Sequence, residues 1–138
     1  MDAAAERNQQ IYEDMWSHYS LFPHDGWSVW REIEPFYEKA RGHALEIGPG
    51  MFPHLPIEGT HFFDLSTVAL SALRERGGLC VRAATPLPLP DQSVDLICLF
   101  EVFEHVEADL ELMRELRRVL RPNGVVFFSC PMNPDYFT

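Results

Sequence analysis

Apolar positions along this chain follow two patterns, short continuous runs and helical stripes. The runs at residues 44–47, 61–64, 79–82, 93–100 and 125–130 are bounded by glycine, proline or acidic residues, and they predict five strands. Residues 93–100 are almost continuously apolar, as in a strand buried on both faces. Residues 5–20 predict a weak helix, and residues 22–26 a turn. Trp27, Trp30, Ile33 and Tyr37 recur at near-helical spacing, with Pro35 expected to kink that helix or to start a new turn. These aromatics either pack on the sheet or, with Trp16 and Tyr19, belong to a lid over a ligand. Residues 68–76 predict a third helix, capped by Ser66 and stopped by Gly77-Gly78. In a fourth, Leu110, Met113, Leu116 and Leu120 are expected to form the buried face, and residues 121–124 to end it. Strands joined by crossovers predict an α/β fold, a doubly wound parallel sheet with helices on both faces.

Residues 44–50 run through an apolar strand to a carboxylate, Glu46, and then turn through Gly48, Pro49 and Gly50. Glycines there allow positive φ and let a ligand approach the main chain. The following stretch, residues 51–60, is too short and too rich in proline for an ordinary crossover helix. A dinucleotide site places its pyrophosphate at such a helix and wants a third glycine where Pro53 stands, so NAD or FAD binding is disfavoured. A nucleoside without phosphates remains compatible. Asp64, at the carboxyl end of the second strand, is placed either to accept from both ribose hydroxyls or to support the start of the next helix. In parallel sheets ligands sit beyond the carboxyl ends of the strands, where Gly48, Asp64 and Glu101 are expected to converge.

Composition narrows the partners. A chain of 138 residues with net charge -10 suits one domain and carries no basic stripe for nucleic acid or for an anionic membrane surface. No run reaches the roughly 18 apolar residues that span a bilayer. The acidic N-terminus lacks a signal-peptide core, so a cytoplasmic location is expected. Cys80, Cys98 and Cys130 have no C-x-x-C spacing and are expected to be buried, reduced thiols, with no metal site.

Three further segments carry a family resemblance over residues 43–138: 87–96 (LPLPDQSVDL), 101–106 (EVFEHV) and 115–124 (ELRRVLRPNG). Occurring in this order and register, they resemble class I S-adenosylmethionine-dependent methyltransferases, especially the small-molecule group similar to the quinone-biosynthesis enzymes. The resemblance implies a Rossmann-like sheet in the order 3-2-1-4-5; residues 1–42, which it does not cover, are expected from their aromatic positions to form an N-terminal helical lid or packing segment. It implies that Glu46, Gly48, Pro49 and Gly50 line the methionine half of S-adenosylmethionine, Asp64 holds the ribose, and Leu65 packs on the adenine near Ala84. The main chain at Phe100 and Glu101 would receive the methionine ammonium. His105 and Glu104 are the candidate bases, if they do not simply shape the loop after the fourth strand. A small-molecule acceptor is implied.

Departures from the family pattern accompany these matches. Phe52 stands where many members have a third glycine, suggesting an aromatic wall. Ala83 or Ala84 replaces an acid that often binds the adenine amino group. Members usually continue with a helix and an antiparallel pair of strands, whereas this sequence stops at Thr138. The run at 125–130 is then an apolar edge, expected either to pair in a homodimer or to mark a fragment of a longer protein. A non-enzymatic, partner-binding domain of the same fold is the alternative function.

Overall fold

The computed structural model of the protein describes residues 3–131. Strands β1 (Ala44–Ile47), β2 (His61–Asp64), β3 (Leu79–Arg82), β4 (Val94–Phe100) and β5 (Leu120–Ser129) form one parallel sheet in the order β3-β2-β1-β4-β5. Leu45 pairs with His61 on one side and with Ile97 on the other, so β1 is central. The strand order reverses between β1 and β4, and a crevice opens beyond their carboxyl ends. Helices α1 (Ala3–Trp16), α2 (Trp30–Lys39), α3 (Thr67–Glu75) and α4 (Asp109–Val119) join single 3₁₀ turns at His24–Gly26 and Phe103–His105. No helix separates β1 from β2, as the proline-rich segment predicts.

The period of two along each strand sorts the core into two layers. Leu45, Phe63, Ile97 and Leu99 meet Leu112, Leu116 and Val119 of α4. Ala44, Leu96 and Cys98 face the other way, onto Ile33 and Tyr37 of α2 and onto Leu55. Ser66 caps α3 by accepting the Ala69 N–H at 3.1 Å, and Ala69, Leu70 and Leu73 are buried along that helix.

Several expectations are corrected. The first helix ends at Trp16 rather than at residue 20. Pro35 lies inside α2 without ending it, because the carbonyl it leaves without an N–H partner belongs to solvent-exposed Arg31. On α4 the buried stripe is Leu112, Leu116 and Val119, while Leu110 and Met113 are 59% and 52% exposed. Both sets have helical spacing and share Leu116. At about 100° per residue, Met113 and Leu110 sit about 100° and 160° round from Leu112, so only one set can face the sheet. The chain does not leave the sheet after α4: β5 begins at Leu120 opposite Val94 and resumes at Val125 opposite Leu96. Residues 121–124 form the intervening bulge, with Asn123 at φ +68°. Of the cysteines only Cys98 is buried; Cys80 is half-buried, and Cys130 lies exposed past the end of β5. Tyr136, Phe137 and Thr138, on which the expected early stop rests, lie outside the described residues.

The loop before β4 is fastened from α4. Arg118 donates to the carbonyls of Leu87 and Leu89 at 2.9 and 2.8 Å, to Asp91 at 2.9 Å and to Glu115 at 2.7 Å. Glu115 in turn accepts the Leu87 N–H at 2.7 Å. Hydrogen bonding to Arg118 is the first cause holding the Glu115 carboxyl below its ordinary value of 4.5. A depressed carboxyl binds fewer protons folded than unfolded, so its stabilisation is present above about pH 4.5 and is lost as pH falls through the folded value. Arg118→Met should therefore lower the urea midpoint at pH 7, and its deficit against the parent should shrink toward pH 3; a deficit independent of pH would contradict the clamp. Leu112→Ala should cost about 2–5 kcal/mol in urea unfolding. Leu110→Ala should stay within about 0.5 kcal/mol of the parent, since its side chain packs against little.

Candidate functional site

Sequence and topology bring one carboxylate to the end of each central strand. Glu46 on β1 is 1% exposed, and its Oε1 accepts the N–H groups of His54 at 2.8 Å and Leu55 at 3.1 Å. Its Oε2 lies 3.3 Å from His54 Nδ1. Burial raises the Glu46 carboxyl, and the hydrogen bonds from His54 and Leu55 oppose that rise. Asp64 on β2 is also buried; its Oδ2 accepts the Gly50 N–H and its Oδ1 the Ser66 N–H, both at 2.9 Å. Burial likewise raises Asp64, against the backbone N–H groups of Ser66, Gly50 and Leu65. Both carboxylates thus hold loop backbone. The helix-supporting role of Asp64 is visible here, and with about four lone-pair sites on an ionised carboxylate it retains capacity for further donors.

The glycines are required where they stand. Gly48 has φ +65°, and a Cβ there would lie 2.9 Å from Val102 Cγ2. Gly50 has φ +52°, and a Cβ would lie 2.2 Å from the Trp16 ring. Trp16 reaches that place because α1 is tethered to α3. The Glu13 carboxylate accepts from the Thr67 N–H, from Thr67 Oγ1 at 2.9 Å and from the Val68 N–H at 3.4 Å. Thr67 and Val68 open α3, where a carboxylate also meets the positive end of the helix dipole.

Phe52 is the hub of an aromatic cluster. The rings of Trp16, Tyr19, Phe22 and Trp27 surround it with centroids 5.4, 5.3, 6.3 and 6.4 Å away. Beside it, the His54 ring lies between Trp27 and Phe100, stacked at 4.5 and 4.0 Å. On the β4 side, Glu101 takes φ +57° and donates its N–H to the Ser129 carbonyl at 2.9 Å. Loss of solvent and the adjacent Glu104 raise the Glu101 carboxyl. Glu104 lies 3.7 Å from His105 Nε2, and His105 meets the edge of Tyr12 at 6.0 Å. Burial, then Asp64 and Glu104, raise the Tyr12 hydroxyl.

These parts enclose a cavity of about 1160 Å³. Around it lie Glu46, Gly48, Pro49, Gly50, Asp64, Leu65, Ala84, Phe100, Glu101, Glu104 and His105, which are the site residues the sequence singles out. It is lined as well by His54, Tyr12 and Thr85, which the sequence reading does not single out. His54 carries one signal in sequence, a titratable ring inside an otherwise apolar, proline-rich loop. Among the described residues Arg7 is the one arginine or lysine on the wall, and none form a cluster of histidine, cysteine or acid suited to a metal ion. Loop N–H groups, spare carboxylate lone pairs and apolar walls suit a nucleoside bearing a positive charge better than a polyphosphate. S-adenosylmethionine, a nucleoside carrying a sulfonium and an ammonium charge, suits that donor set.

Comparison with known proteins agrees with this fit. Residues 45–128 match the family of methyltransferase domains. A probable S-adenosylmethionine-dependent methyltransferase of Mycolicibacterium smegmatis is 49% identical over 45 residues, which are 33% of this chain and 18% of that protein. An S-adenosylmethionine-dependent methyltransferase structure from Mesorhizobium loti superposes with TM-score 0.59 at 25% identity, over 78% of this chain and 55% of that one. The methyltransferase CalH, solved in complex with S-adenosylhomocysteine, shares the fold with TM-score 0.54 at 17% identity, over 72% of this chain and 35% of that one. The chain thus matches only part of the length of these longer relatives. With a matched segment running from the glycine loop through β5, the chain belongs to the methyltransferase-domain family, whose cofactor is S-adenosylmethionine.

Proposed function

We propose that this chain binds S-adenosylmethionine in the cavity at the carboxyl ends of β1, β2 and β4 and transfers its methyl group to a small-molecule acceptor. The observation that carries the proposal is the convergence of the glycine loop, Asp64 and Glu101 on one cavity with almost no basic side chains. The cofactor supplies a methyl group already activated by the sulfonium charge. The residues then have to bind, orient and exclude water, because displacement depends on alignment of the acceptor. Asp64 accepts from the ribose hydroxyls, Leu65 and Ala84 form the adenine wall, and the backbone at 48–50 and 100–101 flanks the methionine end.

Residues 1–42 act as a lid and packing segment in this reading. Support comes from Trp16 lying against Gly50 and from the Phe52 hub, which together roof the loop with α1. Among the described residues β5 pairs only with β4, and its half-exposed Phe128 supports the further proposal that this strand joins a second copy. The thiols are unpaired, in keeping with a reducing, cytoplasmic location. Among the described residues no helix is long and apolar enough to cross a membrane.

Isothermal calorimetry with S-adenosylhomocysteine should give a single site per chain, with Asp64→Ala weakening it at least tenfold, as loss of a charged hydrogen-bond acceptor requires. Circular dichroism of that variant checks that the loop it anchors is intact. No heat with the parent protein at millimolar ligand would remove the proposal. Gly50→Ala should push Trp16 off the loop, seen as a red shift of tryptophan emission, and should cost about 1–2 kcal/mol from the positive φ. Unchanged emission and affinity would show that α1 does not roof the loop.

A further inference from the structure

His54 is held on three sides. Trp27 and Phe100 stack on its two faces, at 4.5 and 4.0 Å, with ring planes 13° and 27° apart. The third side is Nδ1, 3.3 Å from Glu46 Oε2. Trp27 is itself fixed by its indole N–H, which donates to the Pro53 carbonyl at 3.2 Å. Glu46 is fixed by the two backbone N–H groups at its other oxygen. Nε2 remains. Among the described residues it has no hydrogen-bond partner, and it is not sealed from solvent, since every fully buried side-chain nitrogen or oxygen has one. The ring lines the cavity, with its side chain 13% exposed, so this free nitrogen opens into the site.

From this arrangement we infer that the Glu46–His54 pair is the acceptor-binding and proton-accepting dyad of the site, and that the acceptor is a planar, largely apolar molecule bearing an O–H or N–H. The inference rests on the methyl-transfer reading above. A carboxylate that accepts from Nδ1–H fixes the tautomer whose Nε2 lone pair is available, and it stabilises the imidazolium once Nε2 is protonated. The acceptor's O or N lone pair forms the new bond to the methyl carbon as the carbon–sulfur bond breaks and its electron pair stays on sulfur. The proton of the acceptor passes to His54 Nε2, and the imidazolium keeps its Nδ1–H on Glu46. No oxidant or reductant enters. The aromatic walls decide the body of the acceptor: Trp16, Trp27, Phe52 and Phe100 line the cavity and favour a flat ring over a charged or branched group.

His105 is a weaker candidate for this role. Its side chain is 52% exposed, and its Nε2 is already turned toward Glu104. A half-solvated ring is less firmly oriented than one held on three sides.

The test uses the whole chain saturated with S-adenosylhomocysteine and two probes, phenol and its methyl ether, anisole, which differ by the O–H that His54 would receive. Phenol should bind about tenfold more tightly than anisole, the difference expected for one hydrogen bond in a shielded site. His54→Phe keeps a ring in the stack and should abolish that preference while leaving S-adenosylhomocysteine affinity within twofold. Equal binding of the two probes to the parent, detectable binding of neither, or a preference that survives in His54→Phe would each overturn the inference. Independently, long-range proton–nitrogen spectra of the ligand-free protein should show the neutral His54 ring protonated at Nδ1 and bare at Nε2, with that tautomer lost in Glu46→Gln. The opposite tautomer in the parent would also overturn it. Failure of S-adenosylhomocysteine to bind, with the expected tautomer present, would instead count against the methyl-transfer reading.

Discussion

A crossover that contains no helix must find partners for its own backbone N–H groups, and the structure of this site follows from how it does so. Between β1 and β2 the chain runs through prolines and glycines, so the N–H groups of Gly48, Gly50, His54 and Leu55 have no helical carbonyls to serve them. They are taken instead by the Phe63 carbonyl, by Asp64 and by Glu46. Two carboxylates are thereby buried at the carboxyl ends of adjacent strands, a costly placement unless each lone pair has a donor. Four of the N–H donors they collect come from the loop and from the start of α3, and these fix the loop's path. The cavity is the space that this path leaves.

Its consequences spread outward. Phe52, free of any helical constraint, becomes the centre of an aromatic cluster that the segment before β1 supplies. Glu13 caps α3 from outside, so that α1 is carried over the loop, and Trp16 fills the surface that Gly50 leaves bare. The same glycine that lets the loop turn at positive φ therefore also admits the roof. On the far side of the sheet α4 packs one narrow stripe and uses Arg118 to fasten the loop whose Ala84 and Thr85 form another wall of the cavity. Site and scaffold are built from the same contacts, and charge follows the same logic: a wall rich in carboxylates and nearly free of lysine and arginine suits a cationic cofactor and repels polyphosphates.

Much of this was legible in the sequence where signals were local. β3 has the expected ends and α3 lies one residue from them, because Ser66 and Gly77-Gly78 punctuate them, and the missing crossover helix is written in the prolines of residues 51–60. The sheet order and most of the residues round the cavity were legible only through the family resemblance of residues 43–138, since five parallel strands alone do not fix their order. Other features depended on distant partners. α4 carries two apolar stripes sharing Leu116, and only docking selects Leu112 and Val119 over Leu110 and Met113. Cys130 lies in an apolar run yet emerges into solvent because the strand ends one residue earlier. Arg118 reads as one more charge on a helix until the carbonyls of Leu87 and Leu89, some thirty positions away, arrive beside it. His54 is only faintly marked in sequence for the same reason: its two stacking partners and its carboxylate come from three separate segments.

The central claim is that a single cofactor site lies where the helix-free loop, Asp64 and the end of β4 meet. Amide chemical-shift mapping during titration with S-adenosylhomocysteine addresses it most directly. The expected result is a set of saturable shifts concentrated at residues 48–50, 64–66 and 100–102, with the exposed face of α4 unmoved. Shifts that are absent, or that gather instead at the second, shallower groove lined by Met113 and Arg117 of α4 and Val126 and Phe128 of β5, would contradict it.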